Sequence, residues 1–362
     1  MDVKKRIVFL VPSMRGGGSE RVMSVILNYI DKSSFDPILI LLQKEGEYLS
    51  DLPKDLKIVD LNVSNTRYSM FKVIKIIFRL KPDIVMSTLG HLNILLALLK
   101  PFLPRNIKFI ARESSIVSIV NKNSKYENIL NYLYENIYNR FDIIISQSKY
   151  MKKDLVESYN IDSNIIKVIN NPLDFKKIVT LANENSSLYN NDKFNLLIVG
   201  RLSKEKNHRA ILEVMNRLND NYHLTILGQG DLKSKLLEKV QDLKLYNKVK
   251  FIDFDNNPYK YMKQADIVVS TSFYEGFPNV LLEAIGCGTP IVAFNGKGGT
   301  SEIIEDGVNG YIINFGDIEK FSEKVIYLRE NKLVVDKIKA TSSKYSVDNI
   351  IKQYEEVFNA VL

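Results

Sequence analysis

Short apolar runs alternate with amphipathic helical stretches along the chain, and roughly halfway the alternation begins again. Strand-like runs fall at Ile7–Val11, Pro37–Leu42, Ile84–Ser87, Lys108–Arg112, Ile143–Ser146 and Ile165–Ile169. Helix-period segments such as Ser19–Ile30, Met70–Leu80 and Tyr126–Tyr138 lie between them. Strands that read as unbroken apolar runs are buried on both faces, which predicts a parallel sheet with helices on either side. A turn cluster, Asn170–Asp174, and a polar stretch, Asn183–Lys193, then read as an interdomain linker. A second strand set follows at Leu196–Val199, His223–Leu227, Val249–Ile252, Ile267–Ser270 and Ile291–Phe294. The expectation is an α/β protein of two doubly wound domains, residues 1–175 and 190–345, facing each other across a cleft. A terminal helical pattern, 346–362, completes the chain.

Composition narrows the chemistry. The single cysteine, Cys287, excludes a disulfide framework, and three scattered histidines (His91, His208, His223) do not suit a zinc site. His208, His223 and Cys287 read as packing or surface residues. Net charge is +8, and residues 1–180 carry all of it, with 27 Lys and Arg against 18 Asp and Glu. Such a basic half fits an anionic partner: a phosphorylated substrate, an anionic membrane or a nucleic acid. Nucleic acid is set aside, because no recognition-helix, zinc-finger or aromatic-basic platform pattern is present. No export signal and no membrane-length apolar stretch is read, so a cytoplasmic location is expected. Phe71–Lys81 interleaves basic and apolar residues, and Leu98–Pro104 offers an apolar tip, which allows peripheral contact with an anionic leaflet.

Three motifs carry chemistry. Ser13-Met14-Arg15-Gly16-Gly17-Gly18-Ser19-Glu20-Arg21 joins the first strand to a helix, where glycines allow close backbone approach and the helix start favours an anion. Its spacing is neither that of a dinucleotide fingerprint nor that of a P-loop. In Gly200-Arg201-Leu202-Ser203-Lys204-Glu205-Lys206-Asn207, Arg201 and Lys206 stand just past a strand, suited to a diphosphate that gains charge as it leaves. In Ser272-Phe273-Tyr274-Glu275-Gly276-Phe277-Pro278-Asn279-Val280-Leu281-Leu282-Glu283-Ala284, Glu275 stands in a strand-end turn and Glu283 lies among apolar helix residues. A carboxylate so placed needs a partner, and sugar hydroxyls would serve.

Together with Gly286-Cys287-Gly288-Thr289-Pro290 and Gly298-Gly299-Thr300-Ser301-Glu302, these motifs resemble the family 4 (group 1) retaining glycosyltransferases of GT-B fold, with two Rossmann-like domains. The resemblance runs over essentially the whole chain. It implies that Arg201 and Lys206 hold the donor diphosphate, that Glu283 binds ribose and that Glu275 binds the transferred sugar. Gly276 and the backbone of Phe277, Pro278, Asn279 and Val280 would lie beside the donor, with Gly16, Gly17 and Gly18 approaching phosphates or acceptor. His91, after its strand, would contact the donor sugar, and Arg112 with Glu113 would bind acceptor or form a local ion pair. The C-terminal helix would pack back on the first domain.

The expected activity is retaining transfer of a hexose from a nucleotide-sugar, expected to be a UDP-sugar, to a saccharide or lipid-linked acceptor in bacterial surface-glycan assembly. No cofactor and no metal is expected, on the view that no strand-end turn holds an Asp-x-Asp pair. A UDP-sugar epimerase or hydrolase of the same fold is the alternative, and a binding-only protein is disfavoured by the presence of all four polar site residues.

Overall fold

The computed structural model describes residues 4–64, 66–184 and 188–362. The chain divides into two compact units: residues up to Pro172 together with Val347–Leu362, and Leu173–Ser346. The division therefore falls in the Asn170–Asp174 turn cluster. The polar stretch 183–193, expected as the linker, lies inside the second unit after the helix Phe175–Ala182 (residues 185–187 are outside those described). That helix belongs there because Ile178 and Ala182 are buried in the second unit's core.

The first unit holds a seven-stranded sheet: β1 (Lys5–Val11), β2 (Phe35–Leu41), β3 (Lys57–Asp60), β4 (Ile84–Thr88), β5 (Lys108–Arg112), β6 (Ile143–Ser146) and β7 (Ile166–Val168). All its pairs are parallel, in the order β3-β2-β1-β4-β5-β6-β7. Along β1, Val8 and Leu10 enter one core while Ile7, Phe9 and Val11 enter the other, so alternate side chains fill both faces. The edge strand β3 escaped the sequence reading because Lys57 and Asp60 are exposed and only its middle is partly covered.

The helix Val347–Val361 packs on this sheet's second face. Phe358 is fully buried, and its ring meets Phe9 and Phe35 edge-on at 6.2 and 5.8 Å. The chain thus leaves the first unit at Pro172 and returns to it for its last 16 residues.

The second unit repeats the architecture with β8 (Phe194–Val199), β9 (Tyr222–Leu227), β10 (Val249–Ile252), β11 (Ile267–Ser270), β12 (Tyr274–Glu275), β13 (Ile291–Phe294), β14 (Lys297–Gly298) and β15 (Gly310–Ile313). Six of these form a parallel sheet ordered β10-β9-β8-β11-β13-β15, and β12 pairs with β14. Both sheets reverse strand order beside their first strand, between β1 and β4 and between β8 and β11. Ligands of such sheets bind beyond the carboxyl ends at that reversal.

Candidate functional site

In the second unit the reversal brings together the two motifs that follow β8 and β11. Gly200, at φ +156°, turns the chain out of β8. A short 3-10 turn, Lys204–Lys206, then leads into the helix His208–Arg217. Lys206 reaches Glu275, its Nζ lying 2.5 Å from Glu275 Oε1, and Ser272 Oγ donates to the same oxygen at 2.8 Å. Both partners of the ion pair are mostly covered, with side-chain exposures of 24% and 16%. Solvent therefore screens the pair less than a surface bridge. Thr271 Oγ1 donates to the Lys206 and Asn207 carbonyls, holding the turn to the end of β11.

The other half of the site is held by β12 and β14. Gly299 N donates to the Glu275 carbonyl at 3.1 Å, and Lys297 N to the Phe273 carbonyl at 3.0 Å. The Gly-Gly-Thr-Ser-Glu segment therefore clamps the Tyr274-Glu275-Gly276 turn. The helix Asn279–Cys287 begins four residues past Glu275, so Phe277, Pro278, Asn279 and Val280 line the positive end of its dipole. Glu283 is 2% exposed on this helix, and Arg201 stands exposed beside the strand end. Of the four expected polar residues, Lys206 and Glu275 are in contact here, Arg201 follows β8 and Glu283 lies on the helix that starts just past Glu275. The roles of Ser272 and Gly299 were missed from sequence; Ser272, three residues before Glu275 in the same turn, is the signal that was available.

His208 directly follows this turn and was expected to be unremarkable. It is 2% exposed, and among the described residues neither ring nitrogen has a hydrogen-bond partner. Burial, reinforced by the nearby Lys206 charge, lowers its pKa to about 4.

In the first unit the glycine-rich loop ends at the helix Gly18–Tyr29, with Gly17 extended at φ −125° as its N-cap. Ser19, one residue in, shares a 2.9 Å hydrogen bond with Thr88 at the end of β4, so the loop and β4 meet at the strand reversal. His91 is the second residue of the helix Gly90–Leu99 and is exposed, while desolvation by surrounding protein lowers its pKa.

Arg112 and Glu113 do not present themselves to a ligand, and they do not turn toward each other. Arg112 is fully buried; Nε donates to Tyr354 Oη at 3.0 Å, Nη1 to Ser19 Oγ at 3.3 Å and Nη2 to Asn171 Oδ1 at 2.7 Å. Glu113 is 2% exposed, and Asn93 Nδ2 donates to its Oε1 at 2.9 Å, as do the Tyr134 and Tyr138 hydroxyls. Burial raises the Glu113 pKa against these donors. A buried guanidinium with three partners has no reach left for an acceptor, which corrects the expectation for both residues.

The ground for metal independence also needs correcting. Asp253-Phe254-Asp255 is an Asp-x-Asp pair directly after β10. The two carboxylates diverge: Asp253 pairs with Lys233 at 2.6 Å, while Asp255 takes Lys260 and the Tyr261 hydroxyl, both at 3.1 Å. Among the described residues no group of three His, Cys, Asp or Glu is placed to hold a metal ion.

Comparison with known proteins fits this arrangement. Residues 16–177 match the model of Glycosyltransferase Family 4, and residues 180–345 that of Glycosyl transferases group 1. A Campylobacter jejuni protein, N-acetylgalactosamine-N,N'-diacetylbacillosaminyl-diphospho-undecaprenol 4-alpha-N-acetylgalactosaminyltransferase, is 30% identical over 85% of this chain and 86% of its own length. The chain belongs to the group 1, family 4 glycosyltransferases. An Erwinia amylovora relative, the amylovoran biosynthesis glycosyltransferase AmsD, is 24% identical over 98% of this glycosyltransferase and 99% of its own length. Among solved structures, Anabaena HepE in complex with UDP matches with TM-score 0.81 at 21% identity over 98% of this chain and 100% of that one. The lipopolysaccharide outer core galactosyltransferase WaaB matches with TM-score 0.77 at 20% identity over 99% and 100%. The glycosyltransferase has the GT-B fold of these neighbours. Among the described residues no helix is long and apolar enough to cross a membrane.

Proposed function

We propose that this glycosyltransferase moves a hexose from a UDP-sugar, with retention and without a metal ion, to a saccharide or lipid-linked saccharide in bacterial surface-glycan assembly. The observation that carries the reading is the Lys206–Glu275–Ser272 cluster at the strand reversal of the second unit. In the resting site Lys206 spends its charge on Glu275. A donor diphosphate offers the ammonium a stronger anion, and its sugar hydroxyls offer Glu275 donors in exchange. Arg201 and the helix start at Asn279 supply further positive potential, so charge that builds on the departing diphosphate is met by groups already in place. Glu283 is assigned to ribose and Glu275 to sugar hydroxyls, which leaves no carboxylate for the nucleophile that double displacement requires. The step is therefore front-face: the acceptor oxygen bonds to the anomeric carbon as the carbon–phosphate oxygen bond breaks, and the leaving phosphate takes the acceptor proton. His91 is assigned to the donor sugar, and the Gly16–Gly18 loop to phosphates or acceptor; both stand by the first unit's own strand reversal, where Ser19 meets Thr88. The UDP seen in the Anabaena neighbour and the undecaprenol-linked acceptor in the Campylobacter relative's name are in keeping with these assignments.

The same reading places the enzyme at the cytoplasmic face of a membrane. Along the helix Thr66–Leu80, Val73 and Ile77 enter the core, yet Phe71 is 78% and Phe78 50% exposed beside Lys72, Lys75 and Arg79. Phe102 is 70% exposed near Lys100 in the same unit. Aromatic side chains interleaved with cations suit the headgroup region of an anionic leaflet.

Thermal shift with UDP, UDP-glucose, UDP-N-acetylglucosamine and UDP-N-acetylgalactosamine tests the donor reading. Ligand at ten times its dissociation constant stabilises by about 1.4 kcal/mol, which should disappear in Lys206→Ala and Glu283→Ala. No shift with any uridine nucleotide would refute it.

A further inference from the structure

Behind the first unit's strand ends lies a buried polar network that the transfer chemistry above does not use. Asn93 is fully buried one turn into the helix Gly90–Leu99, two residues past His91. Its Oδ1 accepts from Ser87 Oγ at 2.7 Å, and its Nδ2 donates to the Arg112 carbonyl at 3.1 Å as well as to Glu113 Oε1 at 2.9 Å. Tyr134 and Tyr138 donate to that same Glu113 oxygen, and Gln147 Nε2 donates to the Glu113 carbonyl at 3.0 Å. Asn93 thereby links the end of β4 to the end of β5 and to the Glu113 carboxylate, while the turn after β6 is tied to the Glu113 backbone carbonyl.

The turn so held is not one the chain would adopt unaided. Leu89, between β4 and the helix, sits at φ +74°, a backbone conformation that a branched side chain disfavours. Gly90 beside it has no room for a Cβ, which would stand 2.6 Å from the Tyr134 hydroxyl. Polar groups buried this completely weaken a core unless each is satisfied, and once satisfied they specify one geometry. Here the geometry specified is that of the turn that carries His91.

We propose that Asn93 and Glu113 are positioning residues for sugar transfer: through the Glu113 carboxylate oxygen they fix the strained turn Leu89–Gly90 and so aim His91. The proposal rests on the reading of His91 as a donor-sugar contact, and its test carries one readout that does not depend on that reading. Neither residue touches the sugar, and what passes between them is orientation.

Turnover of the UDP-sugar that gives the largest thermal shift, followed as UDP release, should fall about tenfold or more in kcat for Asn93→Ala and Glu113→Ala, with KM changed less than about threefold. Glu113→Gln keeps an acceptor oxygen for the same three donors and should restore kcat to within about threefold of the native enzyme. Leu155→Ala, a core truncation in the same unit, serves as the control for lost stability alone and should leave kcat unchanged well below its Tm. Independently of activity, the His91 ring resonance in a 13C-histidine spectrum, assigned by His91→Gln, should move in Asn93→Ala and stay in place in Leu155→Ala. Should Asn93→Ala fail to fold, Tyr134→Phe removes a single hydroxyl from the same oxygen and must move the resonance and kcat in the same direction. Native kcat and an unmoved His91 resonance in the variants that fold would overturn the proposal. A native enzyme that turns over no UDP-sugar, with a His91 resonance that still moves, would instead count against the donor reading while supporting the positioning role.

Discussion

Replacing His208 by leucine should remove an acid sensitivity built into the second unit. The histidine begins the helix His208–Arg217 with 2% exposure, and among the described residues neither nitrogen has a partner. Its pKa falls from 6.5 to about 4, chiefly through burial and secondarily through Lys206. Because the folded pKa is the lower one, the unfolded chain takes up the proton first as pH drops. The fold therefore loses nothing to this group above pH ~6.5 and progressively more below it, by about 2 kcal/mol at pH ~5 and about 3 kcal/mol below pH ~4. Leucine fills similar space, adds no titrating group and relieves two nitrogens of burial without partners, so at pH ~8 the variant should be as stable or about 1 kcal/mol more stable. The measurement is urea unfolding of both proteins at pH ~8 and pH ~5, taking the difference of differences so that other titrating groups cancel. The native protein should lose about 2 kcal/mol more than His208→Leu between the two conditions. Parallel losses would refute the reasoning, since His208 would then keep an ordinary pKa in the fold. A Leu variant weakened by more than about 1 kcal/mol at pH ~8 would likewise show that the ring nitrogens are satisfied in solution.

Other outcomes follow from the same geometry. Gly228→Ala places a Cβ 2.0 Å from the Gly200 carbonyl oxygen at φ +148°, so it should destabilise by about 2 kcal/mol or more and weaken UDP binding by displacing the turn that carries Lys206. Calorimetry and thermal shift read both effects, and unchanged UDP binding would break the link between the two turns. Phe358→Ala should cost about 3–5 kcal/mol, because a fully buried ring packed on Phe9 and Phe35 leaves a cavity; a loss below about 1 kcal/mol would mean the terminal helix is not part of the first unit's core. Exhaustive EDTA should leave UDP-sugar turnover within about twofold of the untreated rate, whereas a tenfold loss restored by manganese would mean that Asp253 and Asp255 leave their lysines to bind a metal. Flotation with anionic liposomes should fall on Phe71→Ser with Phe78→Ser, and absence of the native protein from the floated fraction would remove the membrane contact.

Much of this was legible in sequence, because the physics that sets it is local. A strand buried on both faces must be apolar along its covered length, so β1, β5, β6, β11 and β13 announce themselves as short apolar runs. The turn residues that follow β8 and β11 are legible for a similar reason. Glycines and charged groups at a strand's end have few structural uses, so Arg201, Lys206 and Glu275 stand out, and the structure brings Lys206 and Glu275 into contact. Edge strand β3 and the last strand, β15, were not legible, since partly exposed strands mix polar and apolar residues as loops do.

What sequence could not decide was which polar groups face inward. Arg112 and Glu113 stand at a strand's carboxyl end, just where a ligand contact is expected. Their burial depends on Asn93, Tyr134, Tyr138, Asn171 and Tyr354, drawn from 19 to 242 residues away along the chain. His208 is a similar case, since a polar residue at a helix start reads as exposed until packing closes over it. Local pattern fixes backbone periodicity, because that depends on near neighbours. The solvation of a side chain depends on everything folded around it, and so only the tertiary structure assigned these residues to the interior.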